Sequence, residues 1–331
     1  LKLNYSGFGY RNSWLNLQIG RGRENWGSGS DIDLALSINS EPYDYLLIAS
    51  NYGKIRVNYI HGFLETIPKS INRFINARGI EWVNNRNMIV GFSETVIYSG
   101  HNRSLDIAYL NPIASHLELE LNNRLNKIGN LNANAVWQFH FDYIIKNRSR
   151  ISFNYLYDEF VLDSDIEIGK EHGRAYSLRF SHSPFVKLEN RFYIYISTVF
   201  VGTPTFRHSL GSNNFVQKNK PLGWENGSDS YEKRLGISYL NKEKLIFDLS
   251  LGSLISGEET IMSRPFDTYK NYLKTSFPSG EKTNSQFLEI NTFIKLKHKL
   301  CANISIHLIK EGSLTQKIFS IGVFFNRKPI L

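Results

Sequence analysis

Ala135-Val-Trp-Gln-Phe-His-Phe-Asp-Tyr-Ile-Ile145, a short break at Lys146-Asn-Arg-Ser149, and then Arg150-Ile-Ser-Phe-Asn-Tyr-Leu-Tyr-Asp158 decide the fold of this chain. Ala135, Trp137, Phe139, Phe141, Tyr143 and Ile145 fall on one face of an extended backbone, and Val136, Gln138, His140, Asp142 and Ile144 on the other. Ile151, Phe153, Tyr155 and Tyr157 repeat the pattern against Ser152, Asn154, Leu156 and Asp158. Side chains that alternate at every second residue mark a strand with two different environments. The break is short enough for a hairpin turn.

Period two continues on both sides of this pair. The matching segments lie near 3–10, 13–20, 31–38, 43–51, 53–63, 73–83, 86–98, 134–146, 149–161, 174–182, 192–202, 233–241, 244–254, 286–299, 301–310 and 317–326. Many exceed the roughly 5–6 residues usual in soluble sheets and suit the ~9–11 residues of a transmembrane strand. Aromatic residues stand at segment ends, among them Tyr43, Tyr45, Tyr98, Tyr143, Tyr155, Tyr157, Phe192, Tyr193 and Phe325, as in the girdles of a membrane barrel. The expected fold is all-β: a transmembrane antiparallel barrel of about 16 strands, within 14 to 18, spanning residues 1–331. A large soluble β-sandwich or propeller is the competing reading. No 40–50-residue repeat supports a propeller.

Composition narrows the classes. In 331 residues, 14% are aromatic, which excludes a disordered chain, and one Cys excludes an internal disulfide or a Cys-based zinc site. No run of ~18 apolar residues predicts a helical span, and a mean hydropathy of -0.30 fits a barrel that is oily on one face only. The chain starts at Leu1 without a leader pattern, which carries no information on location. Net charge is +9. The Lys and Arg residues are scattered, with no recognition helix, so nucleic acid is not an expected partner. Acidic polysaccharide or lipopolysaccharide phosphates suit a positive exterior better.

Residues 103–132 break the alternation. Asn111-Pro112 can start a helix, and Leu117, Leu121 and Leu125 recur at helical spacing, so a helical insertion is expected in a long loop, with the barrel lumen as a place for it. The connections Thr203–Glu232 and Gly257–Ser285 are rich in Gly, Asn, Ser and Pro and read as outward-facing loops.

No catalytic set emerges. Asp158 and Glu159 are adjacent on a strand and point to opposite faces. His140, Asp142 and Ser152 could form a hydrolase-like trio, but the first two sit on the polar face, which suits a lumen network. No His spacing fits a metal, and no cofactor is expected. Charges inside a barrel must be paired or wet. Arg21, Arg23, Glu24, Trp26, Arg78, Glu81, Glu94, His140, Asp142 and Asp158 are therefore read as a polar network lining the lumen. Loop position and residue type nominate Arg207, His208, Trp224 and Glu225 for contact with sugar.

Trp14-Leu-Asn-Leu-Gln-Ile-Gly-Arg21-Gly-Arg-Glu24-Asn-Trp26-Gly-Ser-Gly29, followed by Leu34-Ala-Leu-Ser-Ile-Asn39-Ser-Glu-Pro42-Tyr43, resembles the Wzi-type capsule assembly proteins, with Ser28 where those proteins carry Pro. Arg78-Gly-Ile-Glu81-Trp82, Glu94-Thr-Val-Ile-Tyr98, Tyr109-Leu-Asn-Pro112 and Asp158-Glu159-Phe160 are similar to further blocks of that family, so the resemblance covers about residues 10–165. The family's periplasm-side N-terminal region is expected to be absent or cut short here. The resemblance implies a monomeric, non-catalytic barrel in the outer membrane of a Gram-negative bacterium. It would hold capsular or other surface polysaccharide at the cell surface as a lectin-like anchor, in contact with outer-membrane lipid and lipopolysaccharide. A substrate-selective porin or polysaccharide exporter is the first alternative, and an outer-membrane lipid or glycan hydrolase the second.

Overall fold

The computed structural model describes residues 5–84, 86–122, 133–158, 173–185, 190–208, 211–241, 244–261, 276–297 and 300–325. The strands are β1 (Ser6–Arg11), β2 (Leu15–Gly22), β3 (Tyr43–Tyr52), β4 (Ile55–Ile67), β5 (Ile71–Val83), β6 (Met88–His101), β7 (Ala133–Ile145), β8 (Ser149–Asp158), β9 (Gly173–His182) and β10 (Asn190–Val201). A small hairpin of β11 (Val216–Gln217) and β12 (Lys220–Pro221) follows, and then β13 (Ser230–Asn241), β14 (Leu245–Ser256), β15 (Thr283–Lys297), β16 (Leu300–Glu311) and β17 (Leu314–Phe325). All except the small hairpin pair with their chain neighbours into one 15-stranded antiparallel sheet, the wall of a β-barrel. Among the described residues no ladder joins β1 to β17, and no helix is long and apolar enough to cross a membrane.

The founding hairpin folds as its pattern requires. Phe139 pairs with Tyr155 and Asp142 with Ser152 across β7 and β8. Phe139 and Tyr155 are 40% and 37% exposed, whereas Asp142 and Asn154 are 4% and 0% exposed, so the oily face looks outward and the polar face inward. Ile80, Phe92, Leu178, Phe180, Ile196 and Leu235 extend the outward apolar belt round the wall. The ladder satisfies the backbone groups of these strands, the condition for a chain in hydrocarbon.

Connections at the two ends of the barrel differ. At one end β3 and β4, and β7 and β8, are joined by tight turns at 53–54 and 146–148. At the other, residues 23–42, 102–132, 202–229 and 257–282 connect strands through long segments. The described part of 202–229 is largely buried, which corrects the expectation of an outward-facing loop for 203–232, whereas in 257–285 Ile261 and Ser279 are buried and residues 280–284 are exposed as expected.

The expected strand at 31–38 is also corrected. Ile32, Leu34 and Leu36 alternate with Asp33, Ala35 and Ser37, but both sets are buried, and among the described residues the segment's ladder contact is a single bridge between Trp26 and Leu36. The segment enters the lumen, where Ile32, Leu34 and Leu36 meet Val136, Leu156, Ala175 and Val199 of the wall and Phe206, Leu222 and Trp224 of the loop 202–229. Burying each such aliphatic side chain contributes about 1.5–3 kcal/mol. Tyr43 and Tyr45 join this lumen core instead of an interfacial girdle.

Candidate functional site

Residues 23–42 form a plug held by amides and a hydroxyl of the wall. Asn154 on β8 accepts from Ser28 N at 2.7 Å and donates to Ser28 O at 2.8 Å and Ile32 O at 3.3 Å. Ser177 on β9 donates to Ile32 O at 2.7 Å. Gln138 on β7 accepts from Ala35 N at 3.1 Å and donates to Trp26 O at 3.1 Å. A loop taken out of water must have its backbone groups satisfied, and a carboxamide, carrying donor and acceptor together, can satisfy both kinds. Gln138, Asn154 and Ser177 were not among the residues nominated from sequence. Their signal was an uncharged hydrogen-bonding side chain at an inward position of three successive strands.

The plug carries its own charged groups. Glu24 accepts from Tyr45 Oη at 2.8 Å and Trp26 Nε1 at 3.3 Å. Burial raises its pKa, and those two bonds oppose the shift. Asp33 is pushed up to about 7, first by burial and then by the charge of Asp31. Arg23 is held by Ser40 O and Tyr5 Oη.

The loop 202–229 seals the plug from the long-loop end. Trp224 N donates to Leu34 O at 3.1 Å, Ser37 N to Leu222 O at 2.9 Å, and Ser37 Oγ to Gly223 O at 2.6 Å. Arg73 on β5 gathers three carbonyls of the loop, those of Ser212, Asn214 and Val216, each at 2.6 Å, and pairs with Glu65 at 2.7 Å. Asp158 accepts from Phe206 N. Asp229 accepts from Thr203, Glu259 and Ser279, which ties in the described part of 257–282.

The charged residues expected together in the lumen divide between two faces. Glu81, His140, Asp142 and Asp158 face inward. His140 Nε2 lies 3.1 Å from Glu81 Oε1, across Gly91, where an added Cβ would collide with the imidazole. Asp142 takes a two-pronged bond from Arg150 and one from Ser152 at 3.0 Å. Ser152 thus bonds to the carboxylate and His140 to a different one, so the relay of a Ser-His-Asp triad is not formed. Among the described residues no group of three or more His, Cys, Asp or Glu is placed to hold a metal.

Arg21, Arg78 and Glu94 face outward, a correction to the lumen network. Arg21 bonds to Asp44 at 2.8 Å beside the outward Ile19. Arg78 and Glu94 pair across β5 and β6 at 3.2 Å, on the face of Phe74, Val96 and Tyr98. They remain out of contact with lipid because the described part of 103–132 folds over them as a flap on the outer wall, not into the lumen. The flap comprises a 3-10 turn at Ile107–Leu110 and helix α1 (His116–Leu121), capped by Asp106 and Ser115. His116 N donates to Glu94 at 3.0 Å, Trp137 Nε1 to Glu94 at 3.0 Å, and Arg78 to Asn111 O at 3.2 Å. Tyr98 stacks on Tyr109 at 4.7 Å beneath the flap. The continuation beyond Asn122, with Leu125, and the pair Glu159-Phe160 lie outside the described residues.

Of the residues nominated for sugar contact, Trp224 is 3% exposed in the lumen core, and the buried Arg207 bonds to Glu259 at 3.1 Å and to its carbonyl at 2.7 Å. Both hold loops and present no surface to solvent. His208 N bonds to Asn214, and Glu225 is exposed. The exposed polar rim near them is the hairpin tip Lys218-Asn219-Lys220, with Lys220 paired to Glu41 at 2.9 Å.

No family model and no curated protein matches the chain. Solved structures do. The structure of Wzi from Escherichia coli, described as an outer-membrane protein involved in group 1 capsule assembly and a carbohydrate-binding β-barrel, aligns with a TM-score of 0.65 at 11% identity, covering 97% of this chain and 78% of that one. OccK10 (OpdN) of Pseudomonas aeruginosa aligns at 0.50 with 9% identity over 96% and 82% of the two chains. OccD3 (OpdP) of the same organism aligns at 0.50 with 11% identity over 98% and 78%. The fold is that of an outer-membrane β-barrel.

Proposed function

We propose that this chain is a non-catalytic outer-membrane barrel of Wzi type that holds capsular or other surface polysaccharide at its long-loop end. The observation that carries the reading is the packed mouth, where the plug and the loop 202–229 are bonded to each other and to the wall. Such a mouth is a surface for holding a ligand, not a passage for one. Outer-membrane barrels carry short periplasmic turns and longer extracellular loops, which directs the long-loop end outward. The carbohydrate-binding description of Wzi supports the ligand class. With Trp224 and Arg207 buried and Glu225 turned toward Arg234 and Glu289 of the inner wall, we assign contact to the exposed rim of Lys218, Asn219 and Lys220. Outer-membrane lipid and lipopolysaccharide surround a monomer, with no role for nucleic acid.

A substrate-selective porin is the second reading, since the same wall of 15 strands surrounds a lumen that is polar on its inner face. Planar bilayers separate the two: the anchor gives no steady conductance, the porin does. Retention of purified surface polysaccharide by the immobilised protein tests the anchor directly. Lys218→Ala with Lys220→Ala is expected to weaken that retention, and unchanged retention would remove the rim from the site.

A further inference from the structure

Below the plug, toward the short-turn end, the lumen opens into a cavity of about 740 Å³ that the plug loop roofs with Gly29 and Ser30. Four arginines line it: Arg148, Arg150, Arg179 and Arg191. Two have carboxylate partners. Arg150 is paired with Asp142 at 2.7 Å and Arg179 with Asp31 at 3.1 Å. Arg148 and Arg191 have no carboxylate partner among the described residues. The remaining lining is dense in hydroxyls, with Ser149, Ser181, Ser238 and Tyr193. A third carboxylate, Asp248, stands behind Ser238 and is held by Ser238 and Tyr195.

We propose that this vestibule is a binding site for an acidic saccharide. Guanidinium groups take carboxylates in paired, planar hydrogen bonds. Hydroxyls suit the ring substituents of a sugar, and the volume falls in the ~300–1,000 Å³ range of small-ligand sites. Arg148 and Arg191 are exposed to the vestibule, Arg191 donating to Tyr193 Oη at 3.4 Å, and a carboxylate would give either guanidinium a counter-charge that an uncharged solute does not. The site lies at the opposite end of the lumen from the loop rim, and this inference does not depend on the polysaccharide-anchor reading.

Arg179 links the site to the plug. It donates to Ser30 O at 3.1 Å as well as to Asp31, and its guanidinium stacks 3.6 Å over the Tyr195 ring. Asp31 is a residue of the plug held at φ 62. A carboxylate entering the vestibule competes with Asp31 for the same guanidinium, so Asp31 occupies the place of the ligand until one arrives.

Titration calorimetry of the detergent-purified full chain tests this with an oligoglucuronate, a neutral cello-oligosaccharide of equal length, and inorganic phosphate. Oligoglucuronate is expected to bind about tenfold or more tighter than the neutral oligomer, since one charge-assisted contact is of that order. Arg191→Gln and Arg148→Gln are each expected to weaken it about tenfold, and Asp31→Asn to strengthen it. Heat-modifiable gel migration of each variant reports that the barrel is intact. Equal affinity for the two oligomers, or undiminished affinity in both arginine variants, overturns the proposal. Phosphate binding as tightly as the oligomer overturns the saccharide assignment. Lys218→Ala with Lys220→Ala should leave this binding unchanged, which separates failure here from failure of the loop-rim reading.

Discussion

Arg78 and Glu94 form a buried ion pair, 3.2 Å apart, on the lipid-facing side of the wall, and the flap of residues 103–122 covers them. Their positions follow from strand geometry alone. Glu94 also accepts from His116 N and Trp137 Nε1, so the pair is the anchor on which the flap rests.

Removing one member leaves the other charged and without its partner in an apolar setting. Glu94→Gln is expected to lower stability by about 3–5 kcal/mol, and the double change Arg78→Met with Glu94→Gln to recover much of that loss. Urea unfolding in lipid vesicles measures both. A double-variant loss equal to the sum of the losses of Glu94→Gln and Arg78→Met measured singly would show that the two charges are not coupled.

The flap replaces the wall as the surface that meets lipid. Its most exposed apolar residues are Ile107, Ile113 and Leu121, at 77%, 89% and 69% exposure, with the polar Asn111, Glu120 and Asn122 exposed beside them. Ile113→Trp in vesicles is expected to emit in the blue and to be quenched by brominated acyl chains. Quenching by aqueous iodide alone would put this face in water.

Asn154 holds the plug at Ser28 and Ile32. Asn154→Ala removes its bonds to the plug backbone, at about 1 kcal/mol net each with the added cost of orphaned backbone groups. Intermittent conductance is expected in planar bilayers where the parent chain is silent. A silent variant would show that the hydrophobic contacts of Leu34 and Leu36 suffice to keep the plug seated.

Asp33 gives the plug a pH dependence of definite sign. Its carboxyl stays protonated in the folded plug up to about 7, against an ordinary value of 3.8. The folded state therefore holds the extra proton between those values, and stability falls as pH rises from about 4 to about 7, then levels. Asp33→Asn is expected to flatten that slope and to stabilise the protein at neutral pH. An unchanged slope in a pH series of unfolding midpoints would clear Asp33 of the effect.

The wall was legible in the sequence because each strand declares its two faces locally. The expected segments from β3 through β17 match the wall strands to within a few residues, and the outward Phe139 and inward Asp142 stand as their alternation requires. The same parity separates Arg78 from Glu81: three positions apart on one strand, they cannot share a face. Grouping them by charge hid that. Loop destinations were not legible. Ile32, Leu34 and Leu36 produce the same alternation whether one face or both are covered, and the covering residues lie far away in sequence. Trp224 and Arg207 look like surface residues for the same reason: their partners, Leu34 and Glu259, belong to other loops.

The plug comes from residues 23–42, yet its latches sit 103 to 145 positions later, at Gln138, Asn154 and Ser177. Its seal, made by Leu222 and Gly223 on Ser37, comes later still, with 186 positions between Ser37 and Gly223. Contacts so distant along the chain form only after the intervening hairpins have zipped. Filling of the pore therefore belongs to the final stage of assembly, and a half-built barrel is a hollow one.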